Sequence, residues 1–313
     1  MRVCIFTEPH RGATYDDQLR FARLVEEGGF EGFFRADHYQ ALSDELGLPG
    51  PTDAWLTLAG LARETSRIRL GTLVTSATFR LPGPLAVMVA QVDQMSGGRV
   101  ELGIGAGWYE REHRSYGIPF PRVGERFNRL AEQLAVLTGL WTTPVGERFT
   151  FRGDYYELID SPALPKPVQS PHPPIIVGGR GAKRTPELAA RYADEFNLPF
   201  RSVAETAEAY ERVLEACERL GRAETGKQPL VLSAGLVVAI GRTDAEAARR
   251  AAALYEKGSA LPQEDLLVGS PAQLVDRIGE FAAIGTTRVH LRLVDFADLD
   301  HLELIAAEVL PQL

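Results

Sequence analysis

Asp37 and His38 are the pair of residues in this sequence that is best suited to proton transfer. They follow the apolar run "GFFRA", and histidine exchanges protons near neutral pH because its ordinary pKa is about 6.5. A capping aspartate beside a surface histidine is the ordinary alternative. The six histidines of the chain show no metal-binding spacing, so the pair indicates acid–base chemistry without a metal.

The stretch "GGRGAKR", residues 178–184, places glycines and cations after a second apolar run. Gly178 and Gly179 can adopt backbone conformations that other residues avoid, which would expose successive backbone N–H groups. A helix beginning near Thr185 would direct the positive end of its dipole to the same place, and Arg180 could add a charged donor. The stretch predicts an anion site; glycines after a strand beside a solvated, cationic helix face are the alternative.

Two further apolar runs end in "TLVTS", residues 72–76, and in "GIGAGW", residues 103–108. A dinucleotide-binding fingerprint requires a third glycine at the position of Trp108, which excludes that interpretation. The glycines either allow the strand to pack closely or leave a surface bare enough for a flat ring.

Eight β-rich runs alternate with helical patterns, which predicts parallel strands joined by crossover helices. The runs are apolar with little alternation, as expected of strands buried on both faces. We predict a (β/α)8 TIM barrel with insertions, and a doubly wound open sheet is the alternative. Because ligands of such barrels bind at the carboxyl ends of the strands, the four stretches above would meet at one mouth. The predicted strands are 2–7, 32–37, 68–75, 99–107, 174–179, 195–200, 230–241 and 287–293, and the predicted helices are 16–28, 53–65, 84–96, 123–140, 185–193, 203–220, 243–257, 271–284 and 298–309.

The segment 141–174 interrupts this alternation. Its part "FTFRGDYYEL" predicts a hairpin that turns at Gly153 and Asp154, and the Pro-rich part that follows cannot be helical. We expect the segment to be the main insertion, before the fifth barrel strand, of a single domain over residues 1–313.

Composition argues against two classes of partner. The formal net charge is -8, whereas nucleic-acid binders are more often basic. No run reaches 18 apolar residues, so no membrane partner is expected, and the two cysteines suggest neither a disulfide framework nor a zinc site. These features predict a cytoplasmic protein that acts on a small molecule.

Five stretches in order resemble the bacterial luciferase-like (LLM class) oxidoreductase superfamily, most closely its branch that uses coenzyme F420. They are "FRADHY", "LGTLVTSATFRLPGPLAVMVAQVDQMSGGRVELGIGAGW", "GIPFPRVGERF", "PHPPIIVGGRGAKRTPELAARYADEFN" and "GSPAQLVDRIGEFAAIGTTRVHL". The resemblance covers nearly the whole chain, and it implies the same barrel fold and, in many members, a homodimer.

The resemblance also implies roles for the residues at the mouth. The deazaflavin ring of F420 would lie across it, with His38 moving a proton and Asp37 anchoring the ring or orienting His38. A non-prolyl cis peptide is implied between Leu73 and Val74, behind the ring, and the phosphate would bind at the glycines that precede Arg180. The implied cofactor-binding set is Asp37, Leu73, Val74, Thr75, Gly105, Ala106, Gly107, Gly178, Gly179, Arg180 and Asn197.

The sequence departs from the family at two positions. The sugar-phosphate dehydrogenases of the family carry an acidic glutamate where this chain has Trp108, which would instead form an apolar wall of the substrate pocket. Arg35 stands where relatives carry a small or apolar residue, and its partner is not evident. The pair Glu112 and His113 is interpreted as a helix start or a solvent-exposed pair, with a catalytic pair as the alternative. The insertion and the loop 258–269 are expected to shape the substrate pocket.

We therefore predict an F420-dependent oxidoreductase that passes hydride between the deazaflavin and a small organic substrate. An FMN-dependent monooxygenase on the same barrel is the first alternative. F420 carries an acidic tail, which a basic groove of Arg180, Lys183, Arg184 and Arg201 would favour. A non-catalytic flavin- or F420-binding barrel is the second alternative. A sugar-phosphate isomerase or aldolase barrel is the third, and the lack of a suitable lysine at a strand end argues against it.

Overall fold

Eleven strands and ten helices are present in the computed structural model, which describes residues 1–42, 47–256 and 266–313. The strands are β1 (Arg2–Thr7), β2 (Gly32–Arg35), β3 (Arg69–Ser76), β4 (Val100–Gly105), β5 (Phe149–Arg152), β6 (Glu157–Ser161), β7 (Ile175–Gly178), β8 (Glu195–Pro199), β9 (Val231–Ile240), β10 (Leu266–Gly269) and β11 (Arg288–Arg292). The helices are α1 (Tyr15–Glu27), α2 (Ala54–Glu64), α3 (Pro82–Ser96), α4 (Glu110–Ser115), α5 (Val123–Thr142), α6 (Arg184–Tyr192), α7 (Val203–Arg219), α8 (Asp244–Glu256), α9 (Pro271–Ala283) and α10 (Leu299–Glu308).

Eight of the strands close into a barrel in the order β1-β2-β3-β4-β7-β8-β9-β11, and β11 pairs with β1. Every pairing around this ring is parallel. The barrel strands are buried almost throughout because helices cover their outer face. The predicted (β/α)8 fold is confirmed, and all four candidate stretches follow barrel strands at the same end.

Local sequence signals fix where the outer helices begin. Thr14 and Asp17 form a capping box at the start of α1, and Ser202 and Ser270 cap α7 and α9 in the same way. Asp53 caps α2 by accepting hydrogen bonds from two backbone N–H groups. These caps hold the loops that lead from the strand ends into the helices.

The structure adds two short elements to the predicted pattern and ends two strands two residues earlier than predicted. Helix α4 follows β4, and β10 pairs in parallel with the second half of β9. Strand β2 ends at Arg35 rather than residue 37, and β4 ends at Gly105 rather than residue 107. The strands stop earlier because Asp37 and Gly107 leave the sheet to line a cavity.

The insertion contains the predicted hairpin. Strands β5 and β6 pair antiparallel, with Phe151 opposite Leu158, and residues 153–156 form the turn, closed by a hydrogen bond from Gly153 N–H to the Tyr156 carbonyl.

Of the loop 258–269, residues 258–265 lie outside the described residues, and residues 266–269 form β10. None of the described helices is both long and apolar enough to cross a membrane.

Charged side chains lie inside the barrel, next to the buried ring of Phe34. Arg288 donates hydrogen bonds to Glu101 at 2.7 Å and to Glu195 at 2.8 Å, and His290 lies 3.0 Å from Glu195. All four side chains are almost fully buried. Because each charge has an opposite partner, the cluster avoids the large cost of an isolated buried ion.

Candidate functional site

A cavity of about 660 Å³ opens at the carboxyl ends of the barrel strands. Its position follows the rule for ligand sites in parallel barrels. Thr75 alone of the predicted site residues does not line the cavity, since it is fully buried and donates a hydrogen bond to Asp37 at 2.8 Å. The predicted residues that line it are Asp37, His38, Leu73, Val74, Gly105, Ala106, Gly107, Trp108, Gly178, Gly179, Arg180 and Asn197.

His38 pairs with a carboxylate that the sequence analysis did not place in the site. Its Nδ1 lies 2.9 Å from Oε1 of Glu112, and Oε2 of Glu112 accepts the Tyr39 backbone N–H at 2.9 Å. The Glu112 side chain is 1% exposed, whereas that of His38 is 16% exposed and faces the cavity. Both Glu112 and His113 lie at the start of helix α4, as one interpretation predicted, and the solvent-exposed alternative is wrong because both side chains are buried.

This geometry fixes the tautomer of His38. A carboxylate accepts a hydrogen bond, so the Nδ1 atom of His38 carries the proton. In the neutral form of the ring, Nε2 is then the proton-accepting nitrogen, and none of the described residues hydrogen bonds to it. The pair is arranged as a base whose orientation is set by a buried carboxylate.

Asp37 belongs to a separate ionic cluster and is not bonded to His38 in the described part of the chain. Arg80 donates to Asp37 at 2.5 Å and to Asp53 at 2.6 Å. Burial would lower the pKa of Arg80, but Asp37 outweighs it and raises this pKa above its usual range. Of the two roles predicted for Asp37, orienting His38 therefore falls to Glu112. The role of Asp37 in anchoring a ligand stays a prediction, and its side chain lines the cavity.

Val74 forms the floor of the cavity, and glycines surround it. The predicted non-prolyl cis peptide between Leu73 and Val74 is present. A Cβ atom added at Gly103 would lie 2.1 Å from the Thr72 carbonyl oxygen, so that glycine serves close packing of strands. Added at Gly105 or Gly178, it would lie 3.1 Å or 3.5 Å from Val74, on the cavity side. The floor is thus a bare surface of the kind that a flat ring requires.

The predicted anion site is partly as expected. Gly179 has a φ of +138°, but its N–H is donated to the Asn197 carbonyl at 3.2 Å, and Gly178 pairs regularly within the sheet. The expectation that these two glycines expose successive N–H groups is therefore wrong. Among the described residues, none accepts a hydrogen bond from the N–H groups of residues 180–183, and α6 begins without a side-chain cap. These N–H groups and Arg180 remain available to an anion.

The other cations of the predicted basic groove differ in position. Arg201 lines the cavity, and Lys183 is exposed before α6. Arg184 is turned away, because it donates to the Gly124 carbonyl at 2.8 Å and stacks over Phe127.

The sequence analysis missed a second charged group in the cavity wall. Arg11 and Arg292 each donate to Oε2 of Glu8 at 2.6 Å, and all three line the cavity. Burial would raise the pKa of Glu8, but the two guanidinium groups hold it well below its usual range. Glu8 and Arg292 directly follow or end barrel strands, so the rule that identified the other stretches could have found them.

The two residues at which the sequence departs from the family differ in exposure: Trp108 is exposed at the cavity, whereas Arg35 is buried. Trp108 is 63% exposed and lines the cavity, with its ring 5.8 Å from that of His38, as predicted for a wall residue. Arg35 is fully buried and donates to neutral oxygen atoms of Ala36, Gln18 and Thr52. Burial lowers its pKa to about 10. Arg35 therefore ties the loop after β2 to the loop before α2.

A model of the luciferase-like monooxygenase family matches residues 1–288. The chain belongs to this family. The resemblance inferred from the sequence is thus confirmed, and the relatives and structural neighbours of this luciferase-like chain include dehydrogenases and monooxygenases.

The relatives use two different cofactors. The F420-dependent glucose-6-phosphate dehydrogenase of Microbacterium testaceum is 36% identical over 182 residues, which are 58% of this chain and 52% of that protein. The chain thus spans about half the length of this relative. The FMNH2-dependent dimethylsulfone monooxygenase of Pseudomonas putida is 29% identical over 331 residues, covering 95% of this chain and 87% of that protein. The crystal structure of monooxygenase RslO1 from Streptomyces bottropensis superimposes with a TM-score of 0.83 at 21% identity, covering 99% of both chains.

Proposed function

We propose that this chain is an F420-dependent oxidoreductase that interconverts an alcohol and a carbonyl compound. The single observation that carries the proposal is that the buried Glu112 carboxylate bonds Nδ1 of His38, a side chain that lines the cavity, and that no described residue bonds Nε2. Oxidation of an alcohol by hydride loss requires a base for the hydroxyl proton, and this arrangement supplies one.

His38 handles the proton of the reaction. Its Nε2 accepts the substrate hydroxyl proton as the carbon–hydrogen bond gives up its hydride, and it returns the proton in the reverse direction. Glu112 stabilises the imidazolium ion that forms and keeps the ring in place. When bound, F420 supplies a ring carbon, C5, that accepts or returns the hydride.

The residues that would hold F420 fit a flat ring attached to a phosphate. Val74 and the bare backbone at Gly105 and Gly178 would support the ring. Arg180, with the uncapped start of α6, would bind the phosphate. Trp108, next to His38, favours a substrate with an apolar surface at the position where sugar-phosphate dehydrogenases carry a glutamate.

An FMN-dependent monooxygenase is the second candidate. It is supported by the relative from Pseudomonas putida, whose match extends over nearly the whole chain. FMN has a tricyclic ring and a phosphate too, so the same floor and the same anion site would serve it.

Parallel titrations with F420 and FMN, followed by fluorescence quenching at one salt concentration, test the choice of cofactor. We expect tighter binding of F420, since Arg180 and Arg201 line the cavity, Lys183 is exposed before α6, and these cations would attract the acidic tail. Simple alcohols should then bleach the absorbance of oxidised F420. Tighter binding of FMN, or oxygen consumption with reduced FMN, would support the monooxygenase.

Arg180→Ala tests where the phosphate binds. It should weaken F420 binding by about 1.5–3 kcal/mol, the scale for a hydrogen bond to a charged group. It should hardly affect a phosphate-free deazaflavin fragment. Arg184→Ala is the matched control, because Arg184 is already engaged by Gly124. Equal losses for F420 and the fragment would place the phosphate elsewhere.

A further inference from the structure

A chain of hydrogen bonds connects the charged cluster inside the barrel to the cavity wall. The Asn197 side-chain N–H group donates to Ser233 Oγ at 2.8 Å, and Ser233 Oγ lies 2.5 Å from Oε1 of Glu195. Asn197 lines the cavity, whereas Ser233 and Glu195 lie inside the barrel. Neither the proposed reaction nor the anion site makes use of Ser233 or Glu195.

Glu195 is an acceptor only. Its two oxygen atoms accept hydrogen bonds from Arg288 at 2.8 Å and from His290 at 3.0 Å. Burial would raise the pKa of Glu195, but Arg288 and the hydrogen bonds of His290 and Ser233 outweigh it and lower the pKa well below its usual range. A carboxylate held in this way has no proton to donate.

The charge on Glu195 sets the direction of the remaining hydrogen bonds. Two oxygen atoms 2.5 Å apart need a proton between them, and only the Ser233 hydroxyl can provide it. Ser233 has no second proton and must accept from its other neighbour, Asn197. A flipped Asn197 amide would place its carbonyl oxygen against the lone pairs of Ser233, so that orientation is excluded.

The amide of Asn197 consequently presents its oxygen to the cavity. None of the described residues donates a hydrogen bond to Oδ1, and Asn197 lies beside Gly178 and Val74 at the cavity floor. We infer that Asn197 is a specificity-determining residue that accepts a hydrogen bond from an N–H group of the bound ring. This inference rests on the proposed function, in which the N–H group is the imide of the pyrimidine part of the cofactor.

The chemistry of the ring selects this imide. In oxidised deazaflavins and flavins, the pyrimidine edge carries carbonyl oxygens and unprotonated nitrogens, which accept hydrogen bonds. The imide N–H between the two carbonyl groups is the donor on that edge. An acceptor with fixed direction therefore recognises the imide and rejects a ring whose imide nitrogen carries a methyl group.

A binding cycle on phosphate-free fragments tests this recognition. The probes are 8-hydroxy-5-deazariboflavin, riboflavin and the derivative of each with a methylated imide nitrogen. We expect methylation to weaken binding to the wild type by about tenfold, since it leaves the buried Asn197 oxygen without a donor. In Asn197→Ala, which removes the acceptor and makes room for the methyl group, the ratio should fall to less than about threefold. Asn128→Leu, at the other asparagine and on the surface, should keep the wild-type ratio.

The outcomes separate the inference from the proposed function. If a parent ring binds the wild type but methylation has the same effect on wild type and Asn197→Ala, the imide assignment is overturned and the cofactor proposal stands. If neither parent ring binds the wild type, the proposed function fails and takes the imide assignment with it.

A second readout needs no ligand. The chain has two asparagines, Asn128 and Asn197, so selective 15N-asparagine labelling yields two pairs of side-chain amide signals. Ser233→Ala should shift the Asn197 pair and leave the Asn128 pair in place, because it removes the acceptor at 2.8 Å. An unchanged Asn197 pair in the folded variant would show that Ser233 does not orient the amide, which would overturn the inference.

Discussion

Glu195 and Glu112 each hold a histidine ring, at distances of 3.0 Å and 2.9 Å, in two different regions of the molecule. Inside the barrel, Glu195 also binds Arg288 and Ser233, and His290 is fully buried. At the mouth, His38 lines the cavity, and none of the described residues hydrogen bonds to its Nε2. The same pair of residue types is thus enclosed by protein in one region and borders a cavity in the other, where we propose that it moves a proton.

Removing the charge that compensates Glu195 tests the structural role of the glutamate inside the barrel. Arg288→Met would leave Glu195 and Glu101 buried beside each other without their shared cation. We expect a loss of about 3–5 kcal/mol in the free energy of unfolding, measured by urea denaturation. Arg242→Met is the control, since its ion pair with Asp300 is exposed to solvent and should contribute far less to stability. Similar losses in the two variants would refute the structural role of the cluster.

His301 sharpens the comparison because its ring accepts a backbone N–H, from Ile240 at 3.0 Å, instead of donating to a carboxylate. Burial and Arg250 lower its pKa from 6.5 to about 4. The unfolded chain then takes up the proton first, so stability falls as the pH drops from about 6.5 toward 4.

The expected loss from His301 between pH 7 and pH 5 is about 2 kcal/mol in the free energy of unfolding. His301→Gln retains an acceptor for Ile240 but cannot titrate, so its stability should vary less over this interval. His10, whose pKa burial lowers to about 3, would leave part of the pH dependence of the free energy of unfolding in both proteins. An identical pH dependence in wild type and variant would show that His301 does not contribute to it.

Glu112→Gln tests the role of the glutamate at the mouth, and its expected effect is smaller than those of the two preceding variants. The variant keeps an oxygen near Nδ1 of His38 but loses the charge that stabilises the imidazolium ion. Turnover should fall by about tenfold and cofactor binding should change little. Glu110→Gln, on the exposed side of the same helix, is the matched control. Equal turnover of both variants and the wild type would show that Glu112 only supports packing.

The sequence predicted the barrel and most of the cavity because both follow from local patterns. Alternating apolar runs and helical spacing define the eight barrel units, and residues that end the runs must meet at one mouth. Asp37, His38 and Gly179 were found in this way.

The partners of these residues depend on packing that no local pattern encodes. Glu112 lies 74 positions after His38, on a helix of 6 residues that the periodicity did not reveal. Arg80 reaches Asp37 from the loop after β3, and the direction of the Asn197 amide depends on a glutamate inside the barrel. Charges and hydrogen bonds across the barrel are set by the closed fold, so only the structure brings them together.

Chemical rescue of His38→Ala tests the central claim most directly. The reaction is the bleaching of oxidised F420 by simple alcohols such as 2-propanol, cyclohexanol and benzyl alcohol, using whichever reacts with the wild type. We expect the variant to bind F420 within a few-fold of the wild type, with turnover lower by roughly 10²-fold or more. Added imidazole should restore part of the turnover in proportion to its unprotonated concentration. Turnover within threefold of the wild type, without response to imidazole, would contradict the account.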